Sequence, residues 1–239
     1  PKQTDYLDLL KKTLQENYGG QRIEAITIAM PGIVKDGVAI WCNSLKWKNF
    51  DVATALKGVL GKAPILVDND ASLAGLAETR SREPVPSSVL YVTISTGIGT
   101  GIITNGVIDP GLRMSEGGRM LIEYKGKVRE WESFASGKAI YENFDSYAKD
   151  IHDEKTWNNI ADRISRGFLV AIPLLQSDVI IIGGSIGTYF DRYSKQLKQI
   201  LKNHLPPHIP CPKILPANHP EQAVIYGCYY YAIDSLANK

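Results

Sequence analysis

Short apolar runs alternate with helix-like runs along this chain, and any fold must accommodate that alternation. "IEAITIAM" (23–30), "PILV" (64–67) and "DVIIIGG" (178–184) read as strands, each ending in a proline, acidic or glycine turn. Helical spacing appears between them. Residues 5–18 place Tyr6, Leu9, Leu10 and Leu14 on one side and stop at Gly19-Gly20. Residues 156–176 place Trp157, Ile160, Ile164, Phe168, Ile172 and Leu175 on one face. Further helices are expected over 50–60, 71–80, 131–148, from 184 to about 203, and over 221–237. This pattern predicts an α/β protein. Asp36-Gly37 between apolar pairs predicts a hairpin over 33–41. The strand–glycine turn–strand pattern of 89–108, followed by Asn105-Gly106, predicts a second, so the sheet should be mixed. "SREPVPSS" (81–88) is the most linker-like stretch, and the proline-rich 205–216 carries one short strand.

At 239 residues the chain fits one large domain or two smaller lobes. A formal net charge of +2 is too small for a nucleic-acid surface. The three cysteines, Cys42, Cys211 and Cys228, are far apart and odd in number. That argues against a disulfide framework and for a reducing, cytoplasmic setting. No apolar run reaches the roughly 18 residues that would suggest a membrane span, and no signal-peptide pattern is present. The first residue is Pro1 and the first segment is helical, so further residues are expected upstream.

Four stretches carry candidate chemistry. In "LVDNDASLAGLAE" (66–78), Asp68, Asn69 and Asp70 stand between a strand and a helix. Ligands of open α/β sheets bind beyond such strand ends. One polar residue suffices as a helix cap, contributing about 1 kcal/mol. A carboxylate there also suits a general base, with the asparagine orienting it. Local chemistry leaves both readings open. "STGIGTG" (95–101) offers hydroxyls and backbone N–H groups to phosphate oxygens, though it is neither a dinucleotide fingerprint nor a Walker loop. Gly183-Gly184 would permit close approach of a nucleotide, or simply turn the chain. Glu116, Glu123, Glu130 and Glu132 lie near element ends, and spacing alone singles out none. His204 and His208 are separated by Pro206-Pro207, which breaks the helix a metal pair would need. No G-x-S-x-G nucleophile elbow occurs.

In this order, "IAMPGIV", "NSLKW" (43–47), "VDNDASLAGLAE", "VTISTGIGTGIITNG", "WESFASGKAI" and "VIIIGGSIG" resemble the ROK family. These are bacterial sugar kinases and sugar-responsive repressors within the actin-like ATPase superfamily. The resemblance runs from about Ile23 to the last helix. It implies a two-lobed actin-like ATPase (ribonuclease H-like) fold with mixed sheets. Residues 1–87 would form a small lobe, with helix 222–239 packing back on it, and 88–221 a large lobe. The family's first phosphate loop, a hairpin of the small lobe, would precede residue 1.

The resemblance also assigns roles. Asp70 would be the catalytic base. Asn43, Asn69, Asp70, Glu116, Arg119 and Glu132 would form the sugar site. Thr96 and Gly97 would face the β/γ-phosphates, and Gly183 and Gly184 the adenosine. The implied activity is phosphoryl transfer from ATP with Mg2+ to a hexose, glucokinase-like, in a cytoplasmic homodimer. The alternatives are the sugar-sensing domain of a repressor, with a DNA-binding segment upstream, and a non-catalytic sugar-binding protein. Most members carry a Glu-x-x-His and a cysteine cluster for structural zinc. Here Arg119 replaces the histidine and 121–130 has no cysteine, so no zinc is expected, and Arg119 is expected to pair with Glu116.

Overall fold

The computed structural model describes residues 3–220 and 222–237. Helix α1 (Gln3–Tyr18) leads to strand β1 (Ile26–Met30), then β2 (Ile33–Lys35), β3 (Val38–Cys42) and β4 (Trp47–Asp51). A short α2 (Val52–Leu56) precedes β5 (Ile65–Asn69), which runs without a loop into α3 (Asp70–Arg80). Next come β6 (Ser88–Ile94), β7 (Ile98–Thr104) and β8 (Val107–Ile108), then β9 (Leu121–Tyr124) and β10 (Lys127–Glu130). The remainder is α4 (Glu132–Ala135), α5 (Gly137–Phe144), α6 (Glu154–Leu175), β11 (Val179–Gly183), α7 (Gly184–Gly187), α8 (Phe190–His204), β12 (Lys213–Pro216) and α9 (Ala223–Ala237).

The largest sheet has the order β12-β11-β6-β7-β8. Its first three strands are parallel, and β7 and β8 join antiparallel, so it is mixed as expected. Strand alternation divides its side chains between two cores. Leu90, Val92, Ile180 and Ile182 face the long helices α6 and α8, where Trp157, Ile160, Ile164, Phe168 and Ile172 are buried. Val89, Tyr91, Ile103, Val179 and Ile181 form the other core, beneath α3 and α9. Strands β1 and β5 pair in parallel, and β2-β3-β4 form an antiparallel sheet. Met30, Val34, Trp47, Leu56 and Val67 fill a third core there. Asp36-Gly37 and Asn105-Gly106 take positive φ at both positions, 50° and 81°, 52° and 75°, as two-residue hairpin turns require.

Several element boundaries depart from expectation. The helix expected over 131–148 is broken at Ser136, which is extended with ψ 163°. Its hydroxyl caps α5 by accepting from the Ala139 N–H at 3.2 Å. The Gly137 N–H meanwhile donates to the Ser95 carbonyl at 2.6 Å, so a tertiary bond replaces the helical one. The helix expected over 50–60 is confined to Val52–Leu56, and the run after 184 is interrupted between α7 and α8. Strands β4, β9 and β10 lie where the sequence pattern predicts none. The expected helix start at Glu221 lies outside the described residues. No helix among the described residues is long and apolar enough to cross a membrane.

Helix α3 is buried from Ala71 to Thr79. It lies between β6–β7 and α9, and Ala71, Ala74, Gly75 and Ala77 keep its girth small enough to fit there. Two charged groups pin its far end. Arg80 makes two bonds to the Asp234 carboxylate, at 2.9 and 2.6 Å, and one to the Gly106 carbonyl at 2.8 Å. Buried Glu78 accepts from the Asn218 and His219 N–H groups at 2.7 and 2.6 Å. On α9, Gly227 lies directly against α3, and a Cβ there would collide with the Leu73 carbonyl. Gly227→Ala should therefore destabilise the protein by about 1–3 kcal/mol, as overpacking does. Urea unfolding of the two proteins checks this.

Candidate functional site

The three polar residues at the β5–α3 junction have separate surroundings. Asn69 is the helix cap. Its Oδ1 accepts from the Ser72 N–H at 2.9 Å, and its amide donates to the Gly32 carbonyl at 2.8 Å, fastening the loop after β1. Asp70 is not a second cap. Asp70 is the first residue inside α3, and its Oδ1 accepts from the Ala71 N–H at 2.8 Å. A residue already in helical conformation cannot also be the flanking one. Asp68 is fully buried. It accepts from the Asn69 N–H at 2.8 Å and from Arg113 Nε at 3.0 Å, and Arg113 Nη2 pairs with the same oxygen. The Arg113 guanidinium thus neutralises the Asp68 carboxylate.

Asp70 has no such salt-bridge partner among the described residues. Burial raises its carboxyl above the usual value, and the N–H bond from Ala71 only partly offsets this. Glu116 ends the loop after β8, just before a single turn of 3-10 helix over Gly117–Arg119. That turn is held to β7 by a bond from the Gly117 N–H to Thr100 Oγ1 at 3.0 Å. Burial also raises the Glu116 carboxyl; the Arg119 charge lowers it, and the charges of Glu132 and Asp70 raise it. Glu116 thus lies within electrostatic reach of both Glu132 and Asp70.

The expected pairing of Arg119 with Glu116 is corrected. The Arg119 guanidinium pairs with Glu130 at 2.5 Å and Glu132 at 2.9 Å. The end of β10 and the start of α4 present these two carboxylates together, which a single carboxylate does not match. Glu132 turns its other oxygen to the glycine turn between β6 and β7, accepting from the Ile98 N–H at 3.2 Å. A Cβ on Gly97 would lie 2.8 Å from that oxygen, so a larger residue there would displace the Glu132 carboxylate.

Thr96, exposed on the same turn, opens onto a cavity of about 600 Å³. Ser95, Gly137, Tyr141, Tyr147 and Ser185 also line it, with Lys138 and Lys149 at its wall. Gly183 and Gly184 are one step removed. Gly183 is buried against Tyr91, and Gly184, at φ +77°, lies against the Ile94 carbonyl and Thr93 Oγ1. Their neighbours Ser185 and Ile186 reach the cavity. Asn43 is exposed in the turn between β3 and β4, where its carbonyl accepts from the Lys46 N–H at 3.3 Å. It has no hydrogen bond to Asp70, Glu116 or Glu132 among the described residues. Reading the sequence did not single out Arg113 or the Tyr141–Tyr147 pair, whose rings lie 4.5 Å apart. Neither sits in a motif; only chain folding gives them neighbours. No group of three His, Cys, Asp or Glu among the described residues is placed to hold a metal ion.

The sequence matches the ROK family over residues 4–235. The chain belongs to that family. It is 38% identical over 111 residues to a kanosamine kinase of Amycolatopsis mediterranei, a match spanning 45% of this chain and 36% of that protein. It is 29% identical over 258 residues to an N-acetylmannosamine kinase of Haemophilus influenzae, spanning 95% of this chain and 82% of that one. A xylose repressor of Bacillus subtilis also matches, 26% identical over 147 residues, 57% of this chain and 37% of the repressor. A ROK family glucokinase from Streptomyces griseus, solved with glucose and AMPPNP, superposes with a TM-score of 0.78 over 98% of this chain and 89% of its own, at 19% identity. That likeness establishes the fold, the actin-like ATPase architecture of the ROK kinases.

The raised Asp70 carboxyl has a consequence for stability. Below the unfolded-state value near about 4 the group is protonated in both states and adds no penalty. As pH rises through the higher folded-state value, the folded protein must hold a poorly solvated charge and loses stability. Asp70→Asn keeps the acceptor for Ala71 and removes the charge. The variant should melt above the wild type at pH 7, and the gap should close towards pH 4. Calorimetric scans across that range check it.

Proposed function

We propose that the protein is an ATP-dependent sugar kinase that transfers the γ-phosphoryl group of MgATP to a hydroxyl of a hexose or hexose derivative. The observation that carries this reading is the Asp70 carboxyl. It is half-buried at the carboxyl end of β5, raised in pKa by that burial, and its charge is felt by Glu116. A base works best when its pKa is drawn towards the working pH. The kinases among the relatives support the same reading.

In this mechanism Asp70 accepts the proton of the attacking hydroxyl. Asn69, Glu116 and Glu132 orient the sugar, with Asn43 reaching it from the β3–β4 turn. Arg119 acts indirectly, by fixing Glu132. Thr96 and Gly97 face the β/γ-phosphates. Gly183 and Gly184 shape the turn that brings Ser185 and Ile186 to the adenosine side of the cavity. Phosphoryl transfer demands little covalent chemistry of a protein, so positioning and charge stabilisation dominate. Magnesium belongs to the nucleotide substrate, since it binds through phosphate oxygens and water rather than an all-protein cage. The lobes of this reading are residues 1–87 with the C-terminal helix, and 88–221; they close on the sugar and exclude water. A cytoplasmic homodimer completes it.

A second reading is the effector domain of a sugar-responsive repressor, favoured by the xylose repressor match. A panel of hexoses, N-acetylhexosamines and aminosugars with MgATP and coupled ADP detection separates the two. Turnover on any of them supports the kinase; sugar binding without ADP release throughout supports the repressor.

Asp70→Asn should lower kcat by roughly 10²–10⁴-fold, the usual worth of a general base, with sugar affinity changed little. Steady-state kinetics and calorimetric sugar titration check both; near-normal turnover would remove Asp70 from the role. A guanidinium has only donors and cannot ligate zinc. Elemental analysis of the purified protein should accordingly find no stoichiometric zinc.

A further inference from the structure

Arg113 belongs to no motif, yet it joins three elements around the site. Its Nε donates to Asp68 Oδ2 at 3.0 Å and Nη2 pairs with the same oxygen. Nη2 also donates to the Tyr231 hydroxyl on α9, and the guanidinium carbon lies 5.4 Å from the centre of that ring. Asp68 is the last residue but one of β5, two before Asp70, and its side chain is 1% exposed. Arg113 lies three residues before Glu116 in the loop after β8. One guanidinium thus ties the strand end that carries Asp70 to the loop that carries Glu116, and both to the C-terminal helix.

We propose that Arg113 is a positioning residue that sets Asp70 and Glu116 at a fixed separation, with Tyr231 holding its guanidinium in register. The inference rests on the kinase reading for its effect on turnover. Charge and geometry both support it. A buried carboxylate left without its cation is strongly unfavourable, so Asp68 and Arg113 stay together whenever the chain is folded. A guanidinium engaging one partner through two nitrogens is directional, which a lysine ammonium is not. The Asp68 backbone then passes that fixed orientation along the chain: Asn69 caps α3 and Asp70 begins it. At the other end, three residues of a loop already fastened to Thr100 leave Glu116 little freedom.

The comparison variant is Arg80→Met. Arg80 makes an equivalent two-nitrogen bridge from α3 to Asp234 of α9, at the opposite end of α3 from Asp70. Arg113→Met should lower kcat about 10–100-fold, the effect of a displacement of order 1 Å at a reacting group. KM for ATP should stay within about threefold on the same argument, since the phosphate turn lies elsewhere. Arg113→Lys should recover part of kcat, and Tyr231→Phe should show a smaller loss in the same direction. Arg80→Met should lower the melting temperature and leave kcat unchanged. Equal kcat losses in Arg80→Met and Arg113→Met, or a wild-type kcat in Arg113→Met, would overturn the proposal. Amide hydrogen exchange gives a readout independent of catalysis. Arg113→Met should lose protection in 68–72 and in 111–119 together. Loss confined to 111–119 would overturn the proposal even if the protein phosphorylates no sugar. Where Arg113→Met does not fold, Arg113→Lys and Tyr231→Phe carry the same comparison.

Discussion

Helix α3 is buried along nine consecutive residues, Ala71 to Thr79, and the rest of the site depends on that burial. A helix enclosed by a sheet on one side and α9 on the other cannot shift or roll without opening a core. Its first residue is therefore held where the packing puts it. Because β5 enters α3 without a loop, the three polar residues of the junction inherit that rigidity. The Gly227 contact lets α9 close on the same helix, and Tyr231 of α9 reaches Arg113, so the C-terminal segment supports a site far from it in sequence.

Charge is handled differently at each acid of the site. Asp68 is buried and neutralised by Arg113; Glu132 is bridged by Arg119 and bonded to the glycine turn between β6 and β7. Asp70 and Glu116 have no direct ion pair among the described residues, and burial raises both. Ionising such groups costs stability, and a fold retains that cost where the group has work to do. The contrast between Asp68 and Asp70, two residues apart, follows from their partners: Asp68 at the end of β5 meets the Arg113 guanidinium, whereas Asp70 begins α3 and accepts from the Ala71 N–H.

Much of the architecture was legible in local pattern. The apolar face of 156–176 became the buried face of α6, because a period near 3.6 leaves a helix one way to hide it. Asp36-Gly37 and Asn105-Gly106 became hairpin turns because their backbones tolerate positive φ. The β9–β10 hairpin was not legible. Among the described residues its two strands pair only with each other, and the apolar Leu121 and Val128 sit at exposed positions, so the sequence lacks clean apolar–polar alternation there. The break at Ser136 was hidden for another reason. Helical propensity across 131–148 is real, but the Ser95 carbonyl takes the Gly137 N–H, and that partner lies some forty residues upstream. Within the site, the acids and glycines were visible as motifs. Their partners were not, since Arg119 could have reached any of several carboxylates.

By itself the sequence determined the α/β class, the strand-end placement of Asp68, Asn69 and Asp70, and membership of a family of sugar kinases and repressors. These follow from periodicity and from the order of short motifs, which are local properties. Only the tertiary structure decided which of the three caps the helix, which is neutralised, and which keeps a raised carboxyl. Hydrogen bonding and desolvation depend on groups brought from Gly32, Arg113 and Tyr231, and no spacing along the chain encodes those meetings.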